Sequence, residues 1–167
     1  MNTSDYKIKN IILIGSGNVA THLGTSLLNK GYIIKKVWSK SFKNANILAK
    51  KLHSIPTDNI KDIKDADLYI VAVSDDAIEQ VTKEMEVDNI IHTSGSTSIE
   101  VFNKRINNHG VIYPLQTFNK DIKQDLKGSP ICIEANNEAF RHKLINIGHE
   151  ISEKVIQIDS IQRKKLH

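Results

Sequence analysis

The residues best placed to do chemistry begin at Gly15. The segment Gly15-Ser16-Gly17-Asn18-Val19-Ala20 directly follows the apolar run Asn-Ile-Ile-Leu-Ile, and Val19, Leu23, Leu27 and Leu28 then recur on one helical face. In a strand, turn and helix of this kind, the first glycine permits the tight turn. The second removes a side chain so that backbone N–H groups can approach an anion, and the alanine lets the helix pack close to the strand. The helix N-terminus adds about half a positive charge. Such a turn binds a diphosphate. Glycines also serve ordinary turns, so the weight lies in the position after a strand and before a helix.

A second group stands where a second strand would end, at Val37-Trp38-Ser39-Lys40-Ser41. Dinucleotide sites selective for NAD carry an Asp or Glu there to hold the ribose 2′-hydroxyl. This chain has none. Hydroxyls at Ser39 and Ser41, with cations at Lys40 and Lys43, would instead receive the extra phosphate of NADP through charge-assisted hydrogen bonds. The competing reading makes these lysines solvated surface residues.

Three further loops follow apolar runs. In Ala72-Val73-Ser74-Asp75, the backbone at Val73 and Ser74 could border the ribose and phosphates, although Ser74 or Asp75 could equally cap the next helix. His92-Thr93-Ser94-Gly95-Ser96-Thr97 gathers hydroxyls that could hold the nicotinamide ribose or a polar substrate. His92 is a candidate proton carrier by its near-neutral titration, against a purely structural role. Tyr113-Pro114-Leu115-Gln116-Thr117-Phe118 could line a nicotinamide pocket, with Tyr113 as a proton donor or as packing. No nucleophilic triad, metal-ligand spacing or GxxxxGK[ST] loop is present, so no metal is expected.

These loops need elements to hold them. Apolar strand-like runs at Asn10 to Gly15, Ile33 to Ser39, Leu68 to Val73, Asn89 to Thr93, Gly110 to Tyr113 and Ile131 to Glu134 alternate with helical spacing. A weaker strand is expected at His53 to Ile55. Helices are expected from Val19 to Gly31, at Lys43 to Leu52, Asp75 to Met85, Ser98 to Ile106 and Glu138 to Ile151. An edge strand should follow at Lys154 to Ile158, then a helix from Ile161 to His167. This alternation predicts an α/β fold: a doubly wound, mainly parallel sheet of Rossmann type in three layers.

The 167 residues, 40% of them hydrophobic, suffice for about one domain. The lone Cys132 excludes an intramolecular disulfide and reads as a buried hydrophobe. The polar start lacks a signal peptide's pattern, and no apolar run reaches the roughly 20 residues of a membrane span. A cytoplasmic location without membrane contact follows. The net charge of +4 is dispersed and accompanied by no reader motif, so nucleic acid is not expected as a partner.

Taken together, IILIGSGNVATHLG, VWSKS, VAVSDDAI, IIHTSGS and GVIYPLQTF resemble a family of Rossmann-like oxidoreductases with an uncharacterised helical C-terminal domain. They are similar to deazaflavin-dependent NADP oxidoreductases and to pyrroline-5-carboxylate reductase. The resemblance implies that Gly15, Ser16, Gly17, Asn18 and Val19 hold pyrophosphate and that Ser39 and Lys40 face the adenosine end. It also places Ser74, Thr93 and Ser94 beside the nicotinamide. Family members usually carry His where this chain has Tyr113.

They also continue past the segment matching Asp159 to His167 into a helical domain that forms a homodimer and closes the pocket. Residues 1–158 are therefore expected as an NADP-binding domain, and 159–167 as the start of that second domain. By this reading the segment alone binds cofactor without completing a catalytic site. The expected function is NADP(H)-dependent hydride transfer to or from a small carbonyl or imine. A non-catalytic NADP-sensing module is the alternative. An adenosylmethionine methyltransferase is disfavoured by the missing acid near Ser39.

Overall fold

The computed structural model describes residues 6–102, 104 and 106–167. Eight strands form one sheet: β1 (Asn10–Ile14), β2 (Ile33–Trp38), β3 (Ile55–Thr57), β4 (Leu68–Val71), β5 (Asn89–His92), β6 (Asn108–Pro114), β7 (Ile131–Ala135) and β8 (Val155–Gln157). Five α-helices accompany them: α1 (Asn18–Asn29), α2 (Phe42–Lys51), α3 (Asp75–Thr82), α4 (Glu138–Ile151) and α5 (Ser160–Leu166). The strand order is β3-β2-β1-β4-β5-β6-β7-β8. All neighbours pair in parallel except β6 with β7. The order reverses between β1 and β4, and at such a switch point the loops after neighbouring strands part and leave a crevice.

Strand alternation builds the two outer layers. On β1, Ile11 and Leu13 enter the core shared with α1, α2 and α4, whereas Ile12 and Ile14 enter the opposite core with Ile78 of α3. A strand covered on both faces reads as a continuous apolar run, and all four of these isoleucine and leucine side chains are fully buried. The α/β, doubly wound, mainly parallel, three-layered architecture is the one expected from the sequence.

Local departures have local causes. The strand expected at His53 to Ile55 begins only at Ile55, because His53 adopts a left-handed φ of 54° and turns the chain. The helix expected from Ser98 to Ile106 is replaced by a single 3-10 turn, Ile99–Val101, capped by Ser98; residues 103 and 105 lie outside the described residues. Phe102 leaves that turn in an extended conformation and buries its ring against His92 and His109, at centroid distances of 5.5 and 6.1 Å. Tertiary burial thus overrides the local helical spacing. Among the described residues no helix is long and apolar enough to cross a membrane.

Candidate functional site

The loops after β1, β4, β5 and β6 converge on a cleft of about 640 Å³. It is lined by Gly17, Asn18 and Val19 from the first turn, and by Val73 and Ser74 after β4. Thr93, Ser94 and Gly95 after β5, and Tyr113 to Thr117 at the end of β6, complete those walls; Leu166 and His167 of the α5 end close one side. Another cleft, among Lys7, Lys30, Tyr32 and Glu150, flanks the starts of β1 and β2 instead.

Gly15 and Gly17 play different roles in the first turn. Gly15 has φ 124°, its N–H donates to the Trp38 carbonyl at 2.8 Å, and a Cβ there would stand 2.2 Å from the Ala72 carbonyl oxygen. It is required by the crossing of β1 with the β4 loop. Around Gly17 a Cβ would meet nothing within 4 Å, so its missing side chain leaves open space beside the cleft. Gly17 is also the N-cap of α1, where no side chain caps the helix and no acid occupies the first turn. Helix geometry leaves the first amides without intrahelical partners. Ser16 is half-buried between the two glycines. Open space, unpaired amides and a positive helix end suit a diphosphate, so the residues present fit the nucleotide implied by the motif.

A loop far along the chain meets this turn. Lys120 N–H donates to Asn18 Oδ1 at 3.0 Å, His22 Nε2 donates to the Asn119 carbonyl at 2.6 Å, and the His22 ring stacks on Phe118. The sequence offered no signal for this contact, since its partners lie about a hundred residues apart.

Ser39, Lys40 and Ser41 do not line the cleft; they follow β2, beside the bond from Gly15 to Trp38. Ser39 Oγ accepts from the Ser41 N–H at 3.3 Å, and Ser41 Oγ caps α2 by accepting from the Asn44 N–H at 3.2 Å. Each hydroxyl keeps its own proton to donate, while Lys40 and Lys43 are exposed. The group therefore combines local turn-making with an exposed cationic surface.

His92 is fully buried and belongs to the scaffold of its loop. The Ser94 N–H donates to Nδ1 at 3.1 Å, which assigns the proton to Nε2, 3.4 Å from the Ser98 carbonyl. Burial first, then the Arg163 charge, lowers its pKa to about 4. A neutral ring with both nitrogens engaged favours the structural role over that of proton carrier, the two alternatives the sequence left open for His92. Ser94 is equally committed: its hydroxyl donates to Thr97 Oγ1 at 3.0 Å and accepts from the Thr97 N–H at 2.9 Å. Ser96 donates to Asp75 at 2.6 Å, tying the start of α3 to the same loop.

Tyr113 does reach the cleft. Burial first, with the Cys132 and Asp75 charges after it, raises its pKa, and Arg163 opposes the shift. Its hydroxyl lies 3.1 Å from His167 Nδ1. His167 escaped the sequence reading, because nothing local tells that α5 folds back onto the β5 loop. Among the described residues no cluster of three potential metal ligands occurs.

The fold and turn have known counterparts. The structure superposes with a TM-score of 0.87 on a protein described as an NADP oxidoreductase from Bacteroides fragilis, at 33% identity over 96% of this chain and 64% of that one. It also superposes on a 1-pyrroline-5-carboxylate reductase from Streptococcus pyogenes (TM-score 0.74, 15% identity, 92% of this chain, 59% of that one). A reductive aminase from Aspergillus terreus in complex with NADPH and ethyl-5-oxohexanoate gives a TM-score of 0.70 at 16% identity, over 96% of this chain and 58% of that one. The latter two likenesses concern the fold alone. The chain spans less than two thirds of the length of each. No curated protein matches it. The family model for coenzyme F420-dependent NADP oxidoreductase matches residues 10–99, which contain the glycine turn, the serine-lysine group after β2 and the loops after β4 and β5; the chain belongs to that family.

Proposed function

We propose that this chain binds NADP(H) across the carboxyl ends of its strands and holds the nicotinamide for hydride transfer to or from a small carbonyl or imine. The observation that carries the reading is the pairing of an open Gly17 with an uncapped, acid-free start of α1 at the rim of the cleft. The diphosphate would rest on the amides of Gly17, Asn18 and Val19. The ribose and nicotinamide would run past Val73, Ser74, Thr93 and Ser94 toward Tyr113. The 2′-phosphate would meet Ser39, Lys40, Ser41 and Lys43, where a carboxylate would repel it.

When bound, the nicotinamide supplies or accepts the hydride, and the protein's part is orientation and exclusion of water. The B. fragilis relative described as an NADP oxidoreductase, and the reductases and aminase sharing the fold, support the cofactor and the substrate class. On this reading residues 159–167 open a further helical region that contributes to a homodimer, and the protein works in the cytoplasm.

The test is thermal stabilisation by NADPH, NADH and S-adenosylmethionine at equal concentrations. A ligand at 100 times its Kd adds about 2.7 kcal/mol. A shift with NADPH that exceeds the shift with NADH is expected. Stabilisation by S-adenosylmethionine alone, or by none of the three, counts against the reading.

A further inference from the structure

Three separate elements bring Tyr113 and His167 together on the cleft. Tyr113 Oη lies 3.1 Å from His167 Nδ1, with the rings edge to face at a centroid distance of 5.9 Å. Gly95 supplies the floor: a Cβ there would stand 2.6 Å from His167 Nδ1 and 2.7 Å from Tyr113 Cζ. The pair therefore sits directly on the Gly95 backbone, and a side chain there would push one of the two rings aside.

His167 is aimed by an anchor one turn earlier. Its N–H donates to the Arg163 carbonyl at 3.2 Å, and residues four apart share one helix face. The Arg163 side chain, 1% exposed, donates through Nε to the Ser94 carbonyl at 3.1 Å, and its two terminal nitrogens reach the Glu134 carboxylate and the Thr97 carbonyl. Ser160 adds bonds of 3.0 and 2.9 Å to Glu134. The start of α5 is thus locked to β7 and to the loop after β5, and its far end is delivered to Tyr113.

We propose that Tyr113 and His167 form the acid–base pair of the cleft, with the Tyr113 hydroxyl protonating the oxygen of a small carbonyl, or the nitrogen of a small imine, and His167 restoring that proton. The proposal rests on the cofactor reading above. The nicotinamide, when bound, would supply the hydride to the substrate carbon, and the C=O or C=N π pair would move onto the heteroatom. That atom takes the proton from Tyr113 Oη. The phenolate takes a proton from His167 Nδ1, and the exposed imidazole recovers one from water. The substrate gains two electrons and two hydrogens, the nicotinamide loses a hydride, and one solvent proton is consumed.

The surroundings suit the roles. Asp75 from the start of α3, Cys132 of β7 and Arg163 of α5 act on Tyr113, and burial dominates, so the phenol stays protonated at neutral pH. His92 beneath the same loop is held neutral and does not compete.

The experiment uses wild type, Tyr113→Phe, His167→Gln and Gly95→Ala. His167 imidazole resonances are followed by NMR across neutral pH, NADPH binding by fluorescence, and turnover by NADPH consumption with 1-pyrroline as imine probe and ethyl pyruvate as carbonyl probe. Expected are a displaced His167 titration midpoint in Tyr113→Phe and in Gly95→Ala. With at least one probe, kcat should fall about 100-fold in Tyr113→Phe, with a smaller fall in His167→Gln. Undiminished NADPH binding and thermal midpoint certify that the two side-chain variants fold. An identical His167 midpoint without the Tyr113 hydroxyl overturns the proposal. So does a Tyr113→Phe kcat within twofold of wild type; where the chain binds NADPH yet consumes it with neither probe, the His167 midpoint alone decides. Failure of wild type to bind NADPH removes the cofactor reading itself, and the proposal with it.

Discussion

Gly15 and Ala72 approach so closely that a Cβ on the glycine would lie 2.2 Å from the Ala72 carbonyl oxygen, in a backbone of φ 124°. Gly17, two residues on, has open space in place of a Cβ. The two glycines of one motif therefore separate into a fold requirement and a ligand requirement. Gly15→Ala should cost at least about 1–3 kcal/mol of stability from backbone strain. Gly17→Ala should cost under about 1 kcal/mol as an N-cap change while sharply weakening NADPH binding. Urea denaturation and a binding titration on both variants check this; equal stability losses would contradict the division.

The absence of an acid after β2 makes Ser39 the place to test cofactor choice. Ser39→Asp should weaken NADPH more than NADH, because a carboxylate repels a 2′-phosphate and accepts from a 2′-hydroxyl. Calorimetric titration with both nucleotides measures it. Equal losses would remove this loop from the 2′-phosphate site.

Arg163 and Glu134 form an ion pair whose side chains are 1% and 13% exposed. Removing one partner of a buried pair strands the other charge at a cost of about 3–5 kcal/mol. Arg163→Met should therefore destabilise the protein severely, and Arg163→Met with Glu134→Met should recover part of the loss. Denaturant midpoints of the single and double variants decide; a double variant no better than the single one would show that the carbonyl bonds, and not the charge pair, hold α5.

His92 gives the stability a pH dependence of definite sign. Its folded pKa of about 4 lies below its ordinary 6.5, so the unfolded chain binds the proton more readily. The resulting stability is fully present above pH 6.5 and drains away as pH falls toward 4. By pH 5 the loss from this one group is about 2 kcal/mol. Urea midpoints at pH 7 and pH 5 should differ by more in wild type than in His92→Gln, and the same difference in both would assign the effect elsewhere.

The diphosphate turn was legible in the sequence because its information is local: a glycine conformation, an open approach and a helix start all lie within six residues. Ser39 and Lys40 were legible for the same reason, as a strand end lacking an acid. The segment from Ser98 was misread because Ile99, Phe102 and Ile106 repeat at helical spacing yet are buried one by one beneath β5 and β6. The two roles open to His92 could not be separated from sequence, because residue type reports an ordinary pKa, whereas a fully buried ring bonded at both nitrogens obeys its surroundings.

By itself the sequence determined the strands, their doubly wound order of burial and the turn after β1, since apolar periodicity and glycine stereochemistry act over a few residues. Only the tertiary structure decided that Gly95 lies beneath Tyr113, that Lys120 meets Asn18, and that Arg163 carries His167 into the cleft. Those contacts join residues from 18 to over 100 positions apart, where the energy comes from desolvated charge and close packing between elements, and no local pattern encodes it.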